Sequence, residues 1–140
     1  MKNFFLVALT AFLGVLPVAK AENMSVISFD SLTFSKKEPG WPQIAPVKGD
    51  PTKGPSSIVM KMGKGAFPVH THTSNYQLVV IKGQMKHWGV DSSRQQAKLM
   101  GPGSFWYQPA NQQHADSCES TECTWFITHD GVRDYHEQAK

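Results

Sequence analysis

The stretch that decides the fold reads Gly65-Ala-Phe-Pro-Val-His70-Thr-His72-Thr-Ser-Asn-Tyr76-Gln77-Leu-Val-Val-Ile-Lys-Gly83. His70 and His72 are two residues apart, and residues i and i+2 of a strand face the same side. A second stretch reads Gly103-Ser-Phe-Trp-Tyr-Gln-Pro109-Ala-Asn111-Gln-Gln-His114-Ala-Asp-Ser-Cys118 and supplies His114. An imidazole from a second strand would complete a tripod of ligands. The spacing therefore predicts a metal centre with open positions for water or substrate.

The ligand type predicts the class of metal. Neutral imidazole suits transition metals better than Ca²⁺ or Mg²⁺. The predicted cofactor is a divalent transition metal, Zn or Fe first, with Mn, Ni and Cu as alternatives. A His-x-His pair alone is also typical of a solvated strand edge, so the metal interpretation depends on both stretches.

Composition favours one small β domain. The chain has 140 residues, 40% of them hydrophobic and 18% charged, which predicts a packed core and excludes wholesale disorder. Lys and Arg are scattered, without a nucleic-acid-binding patch. No long helical stripe occurs, and short strand signals predict an all-β sandwich, jelly roll or small barrel. The predicted strands are 25–29, 57–62, 76–81, 84–90, 97–100, 104–108 and 124–128; residues 39–57 read as a loop, and 132–140 as a helical turn at most.

The N-terminus reads as a secretory signal over residues 1–21. Lys2 precedes an apolar stretch, and Ala19-Lys20-Ala21 is a small-x-small cleavage site. The alternative is an uncleaved anchor, but the apolar run is shorter than the roughly 20 residues that span a bilayer. The sequence predicts a periplasmic or secreted protein, cut after Ala21, without integral membrane association. Removing two lysines lowers the formal charge from +3 to +1.

Cys118 and Cys123 are the only two cysteines. In an exported protein they would meet an oxidising compartment, which favours a disulfide across a tight turn between strands. A free Cys118 near the metal centre is the alternative. No second cysteine pair exists for a zinc knuckle.

The two stretches resemble the motifs of the cupin family. The first motif is Gly, His-x-His, Glu, six residues and Gly, and the second is Gly, Pro-x-Gly, His and Asn. Gly-Pro-Gly-Ser before an aromatic strand, and a His followed by two Cys, resemble short bacterial monocupins similar to the cupin-like domain of zinc-binding anti-sigma factors. The resemblance implies a single jelly-roll domain over residues 22–140, often a homodimer, with the metal inside the barrel and a small-molecule ligand.

Three residues depart from the cupin motifs. Gln77 is aligned with the family glutamate, Asn111 replaces a glycine but tolerates a positive φ, and Cys118 replaces the final Asn. The resulting site is three histidines plus solvent. Gln77 is a candidate fourth ligand or water-positioning group, with a hydrogen-bonding core residue as the alternative.

Further candidates surround the predicted centre. His87 is a candidate fourth ligand or supporting residue, with a surface or core role as the alternative. Tyr76 or Tyr107 can supply a proton or an oxyanion contact to a ligand. Trp106 points opposite to Phe105 and Tyr107, and the sequence does not fix which set faces inward.

The residues after His114 can also be assigned to faces of a strand, because alternate residues share a face. Asp116 shares the parity of His114, so it either points inward or lies as a carboxylate at a strand edge. His129 and His136 follow the last predicted strand and are expected to be exposed.

The predicted three-histidine centre is compatible with two functions. The first is a metal-dependent enzyme in which a small organic substrate binds at the open positions, a dioxygenase with iron or a lyase or hydrolase with zinc. No general base is evident in the sequence. The second is a non-catalytic metal- or ligand-binding or sensing module.

Overall fold

The computed structural model describes residues 23–138. The predicted signal peptide of residues 1–21, with its cut after Ala21, lies outside them. Within residues 23–138 no helix is long and apolar enough to cross a membrane.

The described chain is built almost entirely from antiparallel strands, which confirms the all-β prediction. Its elements are a 3₁₀ turn at Phe29–Ser31, β1 (Gln43–Lys48), β2 (Ser56–Thr71), β3 (Tyr76–Lys82), β4 (Met85–Gly89), β5 (Phe105–Gln108), β6 (His114–His129) and β7 (His136–Glu137).

The long strands β2 and β6 organise the fold. They pair along their whole length, with Ser56 opposite His129 at one end and His70 opposite His114 at the other. β4 pairs with the first part of β6, and β3 pairs with its last part. β1 lies beside β2, and β5 lies beside β3. This arrangement is the predicted jelly roll, and it brings the two histidine-bearing stretches together.

Alternation along the strands explains the core. β3 buries Tyr76, Leu78 and Val80, whereas Gln77 and Val79 between them are exposed, as a period of two requires. Fully burying a large aliphatic side chain contributes about 1.5–3 kcal/mol. The buried cluster consists of Ile58, Met60, Tyr76, Leu78, Val80, Met85, Trp106, Cys118, Cys123, Trp125 and Ile127.

A disulfide joins Cys118 and Cys123, as predicted, with a Cα–Cα distance of 5.7 Å. Its location differs from the prediction, because both cysteines lie within β6 and no turn separates two strands. Gly63 is opposite Glu122, and Gly65 is opposite Cys118, so β6 bulges between these two pairs. The bridge therefore closes the base of a bulge in one strand.

Gly83 fits the turn after β3 against this bulge. Its φ is 82°, and a Cβ there would lie 2.4 Å from the carbonyl oxygen of Glu122. Only glycine accommodates both the positive φ and this close approach.

Several predicted elements are wrong. Residues 25–29 form no strand, because the segment has no strand to pair with, and Val26 remains 86% exposed. The predicted loop 39–57 contains β1, since pairing with β2 overrides its proline content. Residues 97–100 contribute only an isolated bridge between Met100 and Met85. The tail pairs with β2 as β7 and forms no helical turn.

Candidate metal centre

The structure brings His70, His72 and His114 together. Their candidate ligand atoms all lie within 4.8 Å of one another. His70 and His114 face each other across the β2–β6 ladder, with ring centroids 4.2 Å apart, and His72 follows just after β2. The pairing of the two long strands therefore assembles the cluster from residues that are distant in sequence.

The backbone fixes the proton on each ring of the cluster. Each imidazole donates its Nδ1–H to a carbonyl oxygen: His70 to Pro68 at 2.8 Å, His72 to Asp134 at 2.5 Å, and His114 to Gln112 at 3.0 Å. A carbonyl only accepts, so a neutral ring keeps its lone pair on Nε2. Three Nε2 atoms are thus prepared as ligands.

Burial keeps these imidazoles neutral. Loss of water around the rings lowers the pKa of His70, His72 and His114 below the usual value for histidine. A metal binds the deprotonated nitrogen, so the lowered pKa favours binding at neutral pH.

Asp116 places a carboxylate beside the cluster. Its Oδ2 lies 3.7 Å from Nε2 of His114 and 3.8 Å from Nε2 of His70, and its Oδ1 accepts a hydrogen bond from Nδ1 of His87 at 2.6 Å. Burial acts to raise the pKa of Asp116, but the hydrogen bond and nearby imidazoles outweigh it and lower the pKa. Asp116 was predicted either to point inward or to lie at a strand edge, and in the structure it points inward.

Gln77 is not part of the site, so its prediction as a fourth ligand is wrong. Its side chain is exposed on the outer face of β3, because neighbouring residues of a strand point to opposite sides. Tyr76 points inward instead. Six residues separate Tyr76 from Gly83, the number between glutamate and glycine in the cupin motif, so correct spacing would have assigned the glutamate position to Tyr76.

Tyr76 contacts the cluster through its hydroxyl. The side chain is buried, and its Oη lies 3.1 Å from Nε2 of His114. Because His114 holds its proton on Nδ1, Tyr76 donates this hydrogen bond. Burial raises the pKa of Tyr76 well above its ordinary value, so the hydroxyl stays protonated. Tyr76 therefore lines the pocket, and its role toward a ligand stays a prediction.

The other aromatic candidate, Tyr107, points away from the pocket. Tyr107 is 56% exposed, so its prediction as a pocket residue is wrong, whereas its neighbour Trp106 points inward. Trp106 stacks on the His87 ring with centroids 5.0 Å apart. His87 is half-buried and supports Asp116; it also forms a second group of candidate ligands with His114 and Asp116.

The two remaining histidines differ from each other. His129 is only 2% exposed, which overturns the prediction of an exposed side chain, since β6 continues to this residue and carries it into the barrel. His136 is exposed as predicted. Its Nε2 donates to the carboxylate of Asp134 at 3.0 Å.

A segment after β6 covers the cluster, and no pattern in the sequence signals this position. Asp134 accepts the hydrogen bond from His72 through its backbone oxygen. Tyr135 stacks on His70 with ring centroids 4.5 Å apart.

The cluster borders a cavity of about 50 Å³. Most of the wall is aromatic or aliphatic, and polar groups lie at a few positions. The lining residues are Trp41, Pro42, Met60, Phe67, His70, His72, Tyr76, Leu78, Met85, Trp106, Asp116, Trp125, Ile127, His129, Arg133 and Tyr135. Such a composition is typical of small-molecule sites.

Comparison with known proteins identifies relatives of this chain. A family model described as the ChrR cupin-like domain matches residues 22–133. The DNA damage-repair/toleration protein DRT102 of Arabidopsis thaliana is 37% identical over 79 residues, which are 55% of this chain. The match covers 24% of that protein, so the chain spans about a quarter of the length of this curated relative.

Several solved structures share the fold. The polyketide cyclase RemF from Streptomyces resistomycificus has a TM-score of 0.66 at 16% identity, over 84% of this chain and 87% of that chain. KdgF from Halomonas sp. has a TM-score of 0.65 at 16% identity, over 80% and 97%. A structure of the DMSP lyases RdDddP and RnDddQII has a TM-score of 0.60 at 16% identity, over 77% and 63%. At this identity the likeness shows a common cupin fold.

Proposed function

Because the chain belongs to the family of ChrR cupin-like domains, we propose that it is an exported metal-binding cupin with a small-molecule pocket. His70, His72 and His114 hold a divalent transition metal ion, Zn or Fe first by the softness of imidazole. The observation that carries this proposal is the set of three Nδ1–H bonds to backbone carbonyls, which leaves three Nε2 lone pairs within one cluster. Such outer hydrogen bonds orient histidine ligands in metal proteins.

Asp116 is the fourth ligand in this proposal. Metal–nitrogen and metal–oxygen bonds of about 2.0–2.2 Å place neighbouring ligand atoms roughly 3–4 Å apart. Oδ2 of Asp116 lies 3.7 and 3.8 Å from two of the Nε2 atoms, which fits that spacing. A carboxylate also lowers the net charge of the centre. Asp116 thus supplies from β6 the charge that the family glutamate supplies from the strand after His-x-His.

An enzyme is the function that the pocket supports best. The metal, when bound, supplies Lewis acidity or activates water or O₂, as in a zinc lyase or hydrolase or an iron dioxygenase. Tyr76 is the residue of this chain suited to donate a hydrogen bond to an oxyanion, since its buried hydroxyl stays protonated and lines the cavity. When Nε2 of His114 serves a metal, that hydroxyl is free to donate to a ligand.

A non-catalytic binding or sensing module is the second candidate. The small cavity favours it: about 50 Å³ has room for a few waters, because roughly 10–15 Å³ of such space holds one. The space beside the cluster therefore suits a small ligand better than a bulky one.

Export and assembly complete the proposal. The buried disulfide supports a periplasmic or secreted protein, cut after Ala21 to a domain of residues 22–140. A homodimer is supported by an exposed apolar face on β3 and β5, where Val79 is paired with Phe105 and Ile81 is 42% exposed.

The test of the proposed function is metal analysis of protein purified from the periplasm without added metal. We expect close to one equivalent of Zn or Fe in the wild type, and its loss in His70→Ala and in His114→Ala. His136→Ala is the matched control, because this exposed histidine lies outside the cluster, and it should retain the metal. A wild-type content below about a tenth of an equivalent, or full metal in the two cluster variants, would contradict the proposal.

A further inference from the structure

Arg133 is a half-buried cation whose guanidinium has no partner within residues 23–138. Its side chain lines the same cavity as His70 and His72. Among residues 23–138 its guanidinium has no hydrogen bond and no ion pair, and only its backbone N–H is used, as a donor to Pro51. Burial lowers the pKa of Arg133, but the group remains charged at any physiological pH. Partial burial of this charge carries an energetic cost that a bound anion would offset.

The nearest acidic residue does not satisfy Arg133. The charge of Asp134 acts on the guanidinium from the next position in the chain. However, the carboxylate of Asp134 accepts hydrogen bonds from Thr73 and His136. The hydrogen-bonding positions of Arg133 therefore stay open for a ligand.

His129 gives a second, independent sign of a missing partner. It is 2% exposed, lines the cavity, and its Nδ1 has no hydrogen-bond partner among the described residues. Burial, followed by the charge of Arg133, lowers the pKa of His129 to about 4. The ring is neutral at pH 7 and contributes no positive charge of its own.

The walls and volume restrict the ligand further. Trp125, Ile127 and Leu78 form an apolar wall, and the volume of about 50 Å³ admits only a few non-hydrogen atoms. The cavity thus combines a cation, a candidate metal and a short apolar space. A bidentate pair with guanidinium is the geometry that a carboxylate prefers.

We propose that the cavity binds a small organic acid whose carboxylate pairs with Arg133 while its other polar end lies toward the metal centre. This inference rests on the proposed metal centre for the second contact only. It assigns Arg133 as the residue that selects an acid over a neutral molecule of the same shape. Small hydroxy or oxo acids of two or three carbons are the class that fits.

The experiment compares glycolate with glycolamide, which has the same shape without the charge. Calorimetric titration of zinc-loaded wild-type protein should show the acid binding at least tenfold more tightly than the amide. Arg133→Gln should lose at least tenfold in affinity for glycolate and should no longer prefer it to the amide. Arg133→Lys should keep part of the preference, because it keeps the charge.

Arg94→Gln is the matched control, since Arg94 already pairs with Glu119 at 2.8 Å and does not line the cavity. It should bind glycolate as the wild type does. The melting temperature of Arg133→Gln should not fall, because the guanidinium makes no hydrogen bond or ion pair in the part of the chain that the structure describes.

The outcomes separate this inference from the proposed function. If zinc binds but glycolate and glycolamide bind equally, or Arg133→Gln keeps the wild-type affinity, Arg133 does not select an acid. If zinc does not bind, the proposed metal centre fails, and the same acid–amide comparison on metal-free protein still tests Arg133. Inorganic sulfate that competes as well as glycolate would also overturn the organic acid.

Discussion

His70 and His72 of the histidine cluster line the same cavity as the Arg133–His129 pair, yet the protein satisfies the polar atoms of the cluster and not those of the pair. In the cluster every imidazole Nδ1 donates to a backbone carbonyl. In the pair Nδ1 of His129 is buried without a partner among the described residues, and the half-buried guanidinium of Arg133 makes no hydrogen bond or ion pair with them. The protein fixes the orientation of the first group by itself. The difference indicates that the second group is completed by what the cavity binds.

The largest expected effect concerns His129, whose Nδ1 has no hydrogen-bond partner among the described residues. The fold favours neutral His129, whose pKa falls from 6.5 to about 4. The stabilisation is therefore complete above pH 6.5 and is lost as the pH falls from 6.5 toward 4. Over that range we expect the free energy of unfolding of the metal-free protein to fall by up to about 3 kcal/mol more in the wild type than in His129→Gln.

Denaturant titrations at several pH values measure this difference. The three cluster histidines contribute to both proteins, so they cancel in the comparison. Parallel curves for wild type and His129→Gln would show that the unpartnered ring does not destabilise the acid form.

The next largest effect concerns Asp116, which lies beside the histidine cluster. Asp116→Asn keeps the shape of the side chain and removes its charge, so we expect metal affinity to fall about 10–100-fold. Competition with a chromophoric chelator measures the affinity of each protein. Asp91→Asn is the control, because this exposed carboxylate lies outside the cavity lining. Equal affinities for wild type and Asp116→Asn would remove Asp116 from the ligand set.

The disulfide belongs neither to the histidine cluster nor to the Arg133–His129 pair. Its removal tests whether the bulge that it closes affects metal binding. A bridge that closes so short a segment stabilises by about 2 kcal/mol through the entropy of the unfolded chain. Cys118→Ser with Cys123→Ser should therefore lower the free energy of unfolding by about that amount in urea. The metal content should not change, and its loss would mean that the bulge in β6 positions the ligands.

The smallest effect is expected for Gln77→Ala. This side chain is exposed and faces away from the cavity, so stability should change by less than about 0.5 kcal/mol. Metal content should equal that of the wild type by elemental analysis. A measurable loss of metal would restore Gln77 to the site against its position in the structure.

Local spacing made part of the site predictable. His70 and His72 share a face because of the two-residue repeat, and His114 follows from the second motif. The same repeat makes errors of one residue severe, because a shift by one reverses the face. Assigning the glutamate position to Gln77 therefore chose a residue on the outer face, whereas Tyr76, predicted only as a contact to a ligand, occupies that position and lies against His114.

The parts of the site that the sequence did not predict depend on contacts between residues far apart in the chain. Parity related Asp116 to His114 but did not decide that both point inward, since that depends on which face of β6 meets the core. Arg133 and Tyr135 reach the cavity only because the segment after β6 returns across it. The identities of these residues carry no local signal of that path.

The hydrogen bond from His72 to the backbone oxygen of Asp134 has a consequence for the order of folding. The two residues are 62 positions apart, so the chain between them has to close into a loop before His72 meets its carbonyl partner. Contacts of such separation form late, after the chain has closed the intervening loop. Until then His72 has no fixed tautomer. We therefore expect metal uptake to follow the closure of the barrel, so that a bound ion reports a finished fold and does not nucleate one.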